Sequence, residues 1–63
     1  NLDKAIDELE KAYSLAPDFA TVNVRLAQAY QLKKNMEKYE FHLKKAEKIE
    51  PDNEALIEFR QNK

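Results

Sequence analysis

With 63 residues, the chain is shorter than the ~100 to 150 residues of a typical domain, so a large enclosed active site is not expected. Its 11 basic and 12 acidic residues lack the positive excess that nucleic acid or an anionic lipid surface requires. It has no Cys for a disulfide or a thiolate metal site, and no apolar run near the roughly 18 residues of a membrane span. We therefore expect no cofactor, metal, nucleic acid or membrane partner, and cytoplasm is only the default compartment. Because the sequence begins with Asn1 rather than Met, we expect it to be part of a longer protein.

The first two predicted helices are amphipathic and are separated by Pro17. The first covers residues 1–16, and Asp18 is expected to cap the second, which ends at the polar run of residues 33–35. Apolar residues at helical spacing form the expected buried stripes, which are Leu2, Ala5, Ile6, Leu9, Ala12, Tyr13 and Ala16 in the first helix and Phe19, Val22, Leu26, Ala29 and Tyr30 in the second.

The third predicted helix begins after Asn35, its expected N-cap, and ends before Pro51. Glu37 lies in its first turn, where the helix dipole favours an acid. A short fourth helix follows, capped by Asp52 or Asn53. The expected buried residues are Met36, Tyr39, Leu43, Ala46 and Ile49 in the third helix and Ala55, Leu56 and Phe59 in the fourth.

The two prolines, Pro17 and Pro51, lie 34 residues apart, and shifting the sequence by this distance aligns seven identical residues. Conservative pairs, such as Leu15 with Ile49, preserve apolar positions. A period of this length indicates an internal repeat made of two helices.

A helix pair that repeats every 34 residues and ends with proline resembles the tetratricopeptide repeat. The matching motifs are Asn23-x2-Leu26-Ala27-x2-Tyr30, then Tyr39-x3-Leu43, then Ala46 and Pro51. The resemblance implies an all-α fold, in which about four helices form antiparallel pairs of a right-handed superhelical solenoid. It divides the chain into the second helix of a truncated repeat (residues 1–16), one complete repeat (18–51) and the first helix of a following repeat or a capping helix (52–63).

Three positions depart from the family pattern. Asn23 stands where the family prefers Trp, Lys34 where the turn usually carries Gly, and Tyr39 where Ala is preferred. We expect the change at Tyr39 to shift helix packing locally.

The resemblance also implies a non-catalytic protein-interaction module, whose first helices line a concave groove that binds a peptide or helix of a partner. The expected groove residues are Thr21, Val24, Gln28, Gln31, Ala55, Glu58 and Asn62. Some family members clamp an acidic C-terminal peptide with cations, but these positions contain none, and Arg25 beside them is a single basic residue. An uncharged or mildly basic ligand is therefore favoured. The alternative reading of this stripe is an ordinary solvated helix face.

Two further residues on the third helix stand outside its apolar stripe. His42 is interpreted as a residue among charged neighbours, because a catalytic or metal role needs partner groups that the sequence does not provide. Phe41 is expected to pack against a further helix, with a role as a partner-binding anchor as the alternative.

The second functional hypothesis is a self-associating, domain-swapped or spacer element without a peptide ligand. It depends on the stripe of Leu2, Ile6, Leu9 and Tyr13, which we expect to lack the preceding helix that would cover it. Homo-oligomers through exposed terminal helices are therefore possible partners. An enzyme is disfavoured, because no nucleophile and base constellation and no glycine-rich loop is present.

Overall fold

A computed structural model describes residues 1–61, which form four helices joined by short turns. The helices are α1 (Leu2–Leu15), α2 (Ala20–Leu32), α3 (Met36–Ile49) and α4 (Glu54–Gln61). Helix α2 is central and packs against each of the other three. The described residues contain no strand, so the expected all-α helical-repeat fold is confirmed.

Three asparagines cap helix N-termini through their side chains. The Oδ1 atom of Asn1 accepts a hydrogen bond from the backbone N–H of Lys4 at 3.2 Å, and Asn35 does the same for Lys38 at 3.3 Å. Asn53 accepts from the backbone N–H of Leu56 at 3.1 Å. The prediction for Asn35 is therefore confirmed, and Asn53 rather than Asp52 caps α4.

The expected cap of α2 at Asp18 is wrong. Asp18 lies in the turn after α1, and the N-cap position is Phe19, which has no side-chain capping bond. The turn is held differently, because the Nδ2 group of Asn23 donates to the carbonyl oxygens of Pro17 at 3.0 Å and Phe19 at 3.1 Å. A side chain within the helix thus satisfies backbone acceptors of the segment that precedes it.

The turn between α2 and α3 reverses the chain around Lys34, whose φ is 63°. The backbone N–H of Asn35 bonds the carbonyl of Tyr30 at 2.9 Å, and that of Lys34 bonds Gln31 at 3.0 Å. This pair of bonds is the Schellman ending of a helix, in which glycine is preferred because the left-handed region is costly for a residue with a Cβ. Lys34 therefore occupies a position whose backbone conformation favours glycine.

The core lies on both sides of α2. One group contains Ile6, Val22, Leu26, Ala29 and Tyr30, with Leu2, Leu9, Ala12, Tyr13 and Tyr39 packed against it. Much of the α1 stripe is thus covered by α2. The second group, called the apolar cluster, contains Val24, Ala46 and Leu56, with Leu43, Ala55 and Phe59 at its margin.

Five residues expected in the buried stripes are instead exposed, namely Ala5, Ala16, Phe19, Met36 and Ile49. Phe19 is 54% exposed, Met36 48% and Ile49 37%. These last three lie at or beside a helix end, where the neighbouring helices no longer cover the stripe.

Candidate functional site

The residues expected to line a groove on α2 do not all lie at the surface. Thr21 and Gln28 are half-buried and Gln31 is exposed, but Val24 is 0% exposed. The expectation that Val24 is accessible to a partner is therefore wrong. Its side chain packs in the apolar cluster against Leu56 of α4, because α2 is covered on several sides rather than along one stripe.

On α4, the expected groove residues occupy different environments. Ala55 is half-buried and packs against the apolar cluster, whereas Glu58 is exposed. Asn62, also expected here, lies outside the described residues. The accessible part of α4 next to α2 is therefore narrower than the sequence indicated.

The joint between α2 and α4 is fixed by Asn53, which is buried. Its Nδ2 group donates to the hydroxyl of Thr21 at 3.1 Å and to the carboxylate of Glu50 at 2.7 Å. Because its Oδ1 atom caps α4, one side chain connects α4 to α2 and to the end of α3. Thr21 thus helps to position α4 as well as lying on the expected groove face.

Two accessible residues on α2 were not among the groove residues predicted from the sequence. Arg25 is exposed, and Leu32 is 71% exposed. Together with Thr21 and Gln28 they follow i, i+4, i+7 and i+11 spacing, which places all four on one strip of the helix. We call the surface formed by Thr21, Arg25, Gln28, Gln31, Leu32, Ala55 and Glu58 the α2–α4 face. The spacing itself could have identified Arg25 and Leu32.

A buried hydrogen bond joins α2 and α3 through residues that the sequence did not connect. The Nδ1 atom of His42 lies 2.9 Å from the Oδ1 atom of Asn23. Since the Nδ2 group of Asn23 donates to two carbonyls, its Oδ1 is the acceptor, and His42 must carry its proton on Nδ1. His42 is 4% exposed, so its expected place among charged surface residues is wrong.

Aromatic rings enclose His42. The ring of Tyr30 is stacked on it with centroids 5.9 Å apart, and Tyr13 and Phe41 each meet it edge-on at 5.0 Å. Burial is the main cause that lowers the pKa of His42 below its usual 6.5, and Lys45 and Lys38 lower it further, against the opposing charge of Glu10. The imidazole is therefore held neutral by its surroundings.

The same region contains two hydrogen bonds from α1 to its neighbours. The hydroxyl of Tyr30 donates to the carboxylate of Glu10, and the ammonium of Lys45 donates to the hydroxyl of Tyr13 at 2.8 Å. Burial, followed by the hydrogen bond and charge of Glu10, raises the pKa of Tyr30 to about 12. We call the group formed by Glu10, Tyr13, Asn23, Tyr30, His42 and Lys45 the polar cluster.

The chemistry of these groups is structural. The one histidine uses its Nδ1 proton to bond Asn23, and the buried side-chain polar atoms of the described residues all have hydrogen-bond partners. Within residues 1–61, no group of three or more His, Cys, Asp or Glu residues is arranged to hold a metal ion. None of the helices described for residues 1–61 has the length and apolar character needed to cross a membrane.

Comparison with known proteins agrees with this arrangement of helices. The family model described as tetratricopeptide repeat matches residues 1–19 and 20–53. Searches among curated proteins and among solved structures returned no match. The two matched segments contain α1 and the antiparallel pair α2 and α3.

Proposed function

Because the chain belongs to the tetratricopeptide repeat family, we propose that it is a non-catalytic interaction module that binds a segment of a partner protein on the α2–α4 face. Repeats of this family generally mediate protein–protein interactions and are typically not enzymes. As part of this proposal, residues 1–16 belong to the second helix of one repeat, 18–51 to a complete repeat and 52–63 to the first helix of the next.

The observation that carries the proposal is the accessible strip on α2, a helix that is otherwise buried. Val22, Leu26 and Ala29 are all buried on its other side, so the strip of Thr21, Arg25, Gln28 and Leu32 is not the solvated half of a loosely packed helix. A surface displayed by a helix that packs against the three others is suited to binding, because little freedom is lost when a ligand is bound.

The chemistry of the strip favours a segment held by hydrogen bonds and modest apolar contact. The side-chain amides of Gln28 and Gln31 form no hydrogen bonds among the described residues, so they are available as both donors and acceptors. Leu32 supplies apolar surface, while Arg25 and Glu58 contribute one charge of each sign. These features support an uncharged or mildly basic segment as the ligand.

The test is selection of binding peptides from a diverse library on the 63-residue chain and on the variant Gln28→Ala with Gln31→Ala. Both positions are accessible, so the variant should keep its helical circular dichroism. A matched control, Glu8→Ala with Lys11→Ala, changes two exposed residues of α1. We expect peptides to enrich on the parent and the control and to be lost on the variant. Enrichment that is unaffected by the variant would place recognition elsewhere and reject the proposal.

Self-association is a second candidate, supported by exposed apolar residues at one end of the molecule. Leu32 and Met36, which are 71% and 48% exposed, flank the α2–α3 turn. The ion pair between Lys33 and Asp3, at 2.5 Å, brings the first turn of α1 to the same end. If this end joins copies of the chain, the mass measured by analytical ultracentrifugation will rise with concentration in the parent but not in Leu32→Ser with Met36→Ser. A monomer at all concentrations rejects this candidate.

A further inference from the structure

A groove of about 710 Å³ lies along α3 beside the turn that joins α1 to α2, away from the α2–α4 face. Its lining residues are Asp18, Phe41, Lys44, Lys45, Lys48 and Ile49. A cavity of about 460 Å³ shares Phe41 with it and is bordered by residues of α1 and α3, among them Tyr13 and His42. We call the two together the α1–α3 groove.

Phe41 forms an exposed but well-supported apolar surface where the two cavities meet. Its side chain is 56% exposed, and its ring packs edge-on against His42 with centroids 5.0 Å apart. His42 is itself fixed by its hydrogen bond to Asn23. An aromatic ring that is exposed yet held from behind has the character of an interface anchor, because it offers contact area without a large loss of side-chain freedom.

The charges around Phe41 are mainly positive. Lys44, Lys45 and Lys48 face one acidic residue, Asp18, so the 710 Å³ cavity has a formal charge of +2 in a chain whose formal charge is −1. The two ion pairs found among residues 1–61 do not involve these lysines. The local excess of positive charge is therefore not neutralised by a salt bridge within the described chain.

Lys45 is positioned before any ligand arrives. Its ammonium donates to the hydroxyl of Tyr13 at 2.8 Å and lies 4.8 Å from the centroid of that ring and 5.9 Å from that of Phe41. Contact with the two rings holds the charge next to the apolar anchor. Lys44 and Lys48 are exposed and lie one turn apart on the same helix, where they can approach a ligand from the side.

We propose that the α1–α3 groove binds an acidic segment of a partner protein, in which an aromatic or aliphatic side chain packs on Phe41 and flanking carboxylates approach Lys44, Lys45 and Lys48. Charge complementarity selects this occupant. A nucleic acid is a poorer fit, because three lysines confined to residues 44–48 can neutralise few phosphates and the chain as a whole has a formal charge of −1. This site is separate from the α2–α4 face, and either can exist without the other.

The test uses the uniformly 15N-labelled chain, titrated with a synthetic peptide of Glu and Asp residues that carries one central Phe. Two matched peptides replace the Phe with Ser or the acidic residues with Gln. We expect saturable shifts of the amide signals of Phe41, Lys44, Lys45 and Lys48 with the first peptide only. Binding should weaken as NaCl is raised, since exposed charges are screened.

Variants distinguish binding in the α1–α3 groove from a nonspecific effect of the net charge of the chain. Lys44→Glu with Lys48→Glu should weaken binding by about tenfold or more, whereas Lys4→Glu with Lys11→Glu changes the net charge equally and should have a much smaller effect. Phe41→Ser should also weaken binding, and Phe41→Leu, which keeps an apolar side chain, should largely preserve it. Circular dichroism of each variant checks that the helices remain.

Several results would overturn the proposal. These are the absence of saturable binding, shifts confined to the α2–α4 face, and equal loss of binding in the two lysine variants. Displacement of the peptide by single-stranded oligo(dT) at lower concentration would assign the groove to nucleic acid instead. Shifts of the groove signals on simple dilution of the protein, together with a falling mass, would assign it to a second copy of the chain.

Discussion

Both sides of α2 are buried by apolar packing, but the side towards α1 and α3 also contains the polar cluster. Towards α4, Val24 packs with Leu56 and Ala46 in the apolar cluster, and all three are 0% exposed. Towards α1 and α3, Asn23 bonds His42 within the polar cluster. Neighbouring residues of one helix therefore belong to two different environments.

Apolar packing and buried polar pairs contribute differently to the stability of the fold. Apolar packing depends on area and shape, so its strength changes little with pH or with the exact identity of the neighbour. A buried polar pair adds little net stability, but it is costly to break, because each partner is left without a hydrogen bond. Apolar packing on both sides of α2 thus supplies attraction, and the polar cluster fixes how α1 and α3 are arranged around α2.

The largest expected effect is on the apolar side. Leu56→Ala removes a fully buried side chain that joins α4 to α2, and it should lower the free energy of unfolding by about 2 to 5 kcal/mol. Ile57→Ala is the matched control, because this neighbour is 40% exposed and should cost far less. Urea unfolding followed by circular dichroism measures both. Equal losses would mean that α4 is not held by the apolar cluster.

On the polar side, Asn23→Ala should cost about 1 to 3 kcal/mol, because His42 and the carbonyl of Pro17 lose their partner. A double-mutant cycle isolates the part that belongs to the histidine. In a His42→Phe background, the same substitution should cost less, since no buried imidazole is left without a partner. A cost that is unchanged in that background would contradict the assigned hydrogen bond.

A smaller change in stability is expected when the pH is lowered, and it should come from His42 in the polar cluster. The pKa of folded His42 lies below 6.5 because of burial, so the unfolded chain binds a proton that the folded chain does not. Stability from this group is complete above about pH 6.5 and falls as the pH is lowered towards the folded pKa. NMR titration of the imidazole gives that pKa, and urea unfolding between pH 7 and 5 gives the stability change. His42→Phe should remove this part of the pH dependence, and an unchanged slope would contradict it.

The smallest expected change in stability is at Lys34 in the α2–α3 turn, which lies outside both the apolar cluster and the polar cluster. Lys34→Gly should raise the free energy of unfolding by about 0.5 to 1 kcal/mol, because glycine adopts the φ of 63° without steric cost while losing more freedom on folding. Lys33→Gly, at a residue with φ of −77°, should destabilise instead. Thermal unfolding measures both, and the same direction for the two substitutions would contradict the left-handed geometry of the turn.

The sequence was sufficient to predict the four helices and the asparagine cap of α3, and it narrowed the cap of α4 to Asp52 or Asn53. Repeated apolar spacing and the two prolines carry this information locally, without knowledge of which helices touch. Lys34 was likewise noticeable as a residue in a glycine position, and its positive φ explains why glycine is preferred there.

The errors at Val24 and His42 have one physical origin, which is the burial of α2 on more than one side. A single-stripe interpretation placed Val24 at the surface, because it lies opposite Leu26, but both are fully buried. The same interpretation placed His42 among charged residues, because its partner Asn23 comes from another helix. The sequence did contain one signal of this buried hydrogen bond. Asn23 stands where the family prefers Trp, and a polar residue that replaces a core aromatic residue needs a hydrogen-bond partner.

The adjacency of Asn23 and Val24 also constrains how the length of the chain can change. Each residue inserted into an α-helix rotates everything beyond it by about 100°, which is one residue's share of a turn. An insertion near the start of α2 would turn an asparagine side chain out of reach of His42 and a valine away from Leu56 in a single step. Insertions within α2 should therefore be rejected.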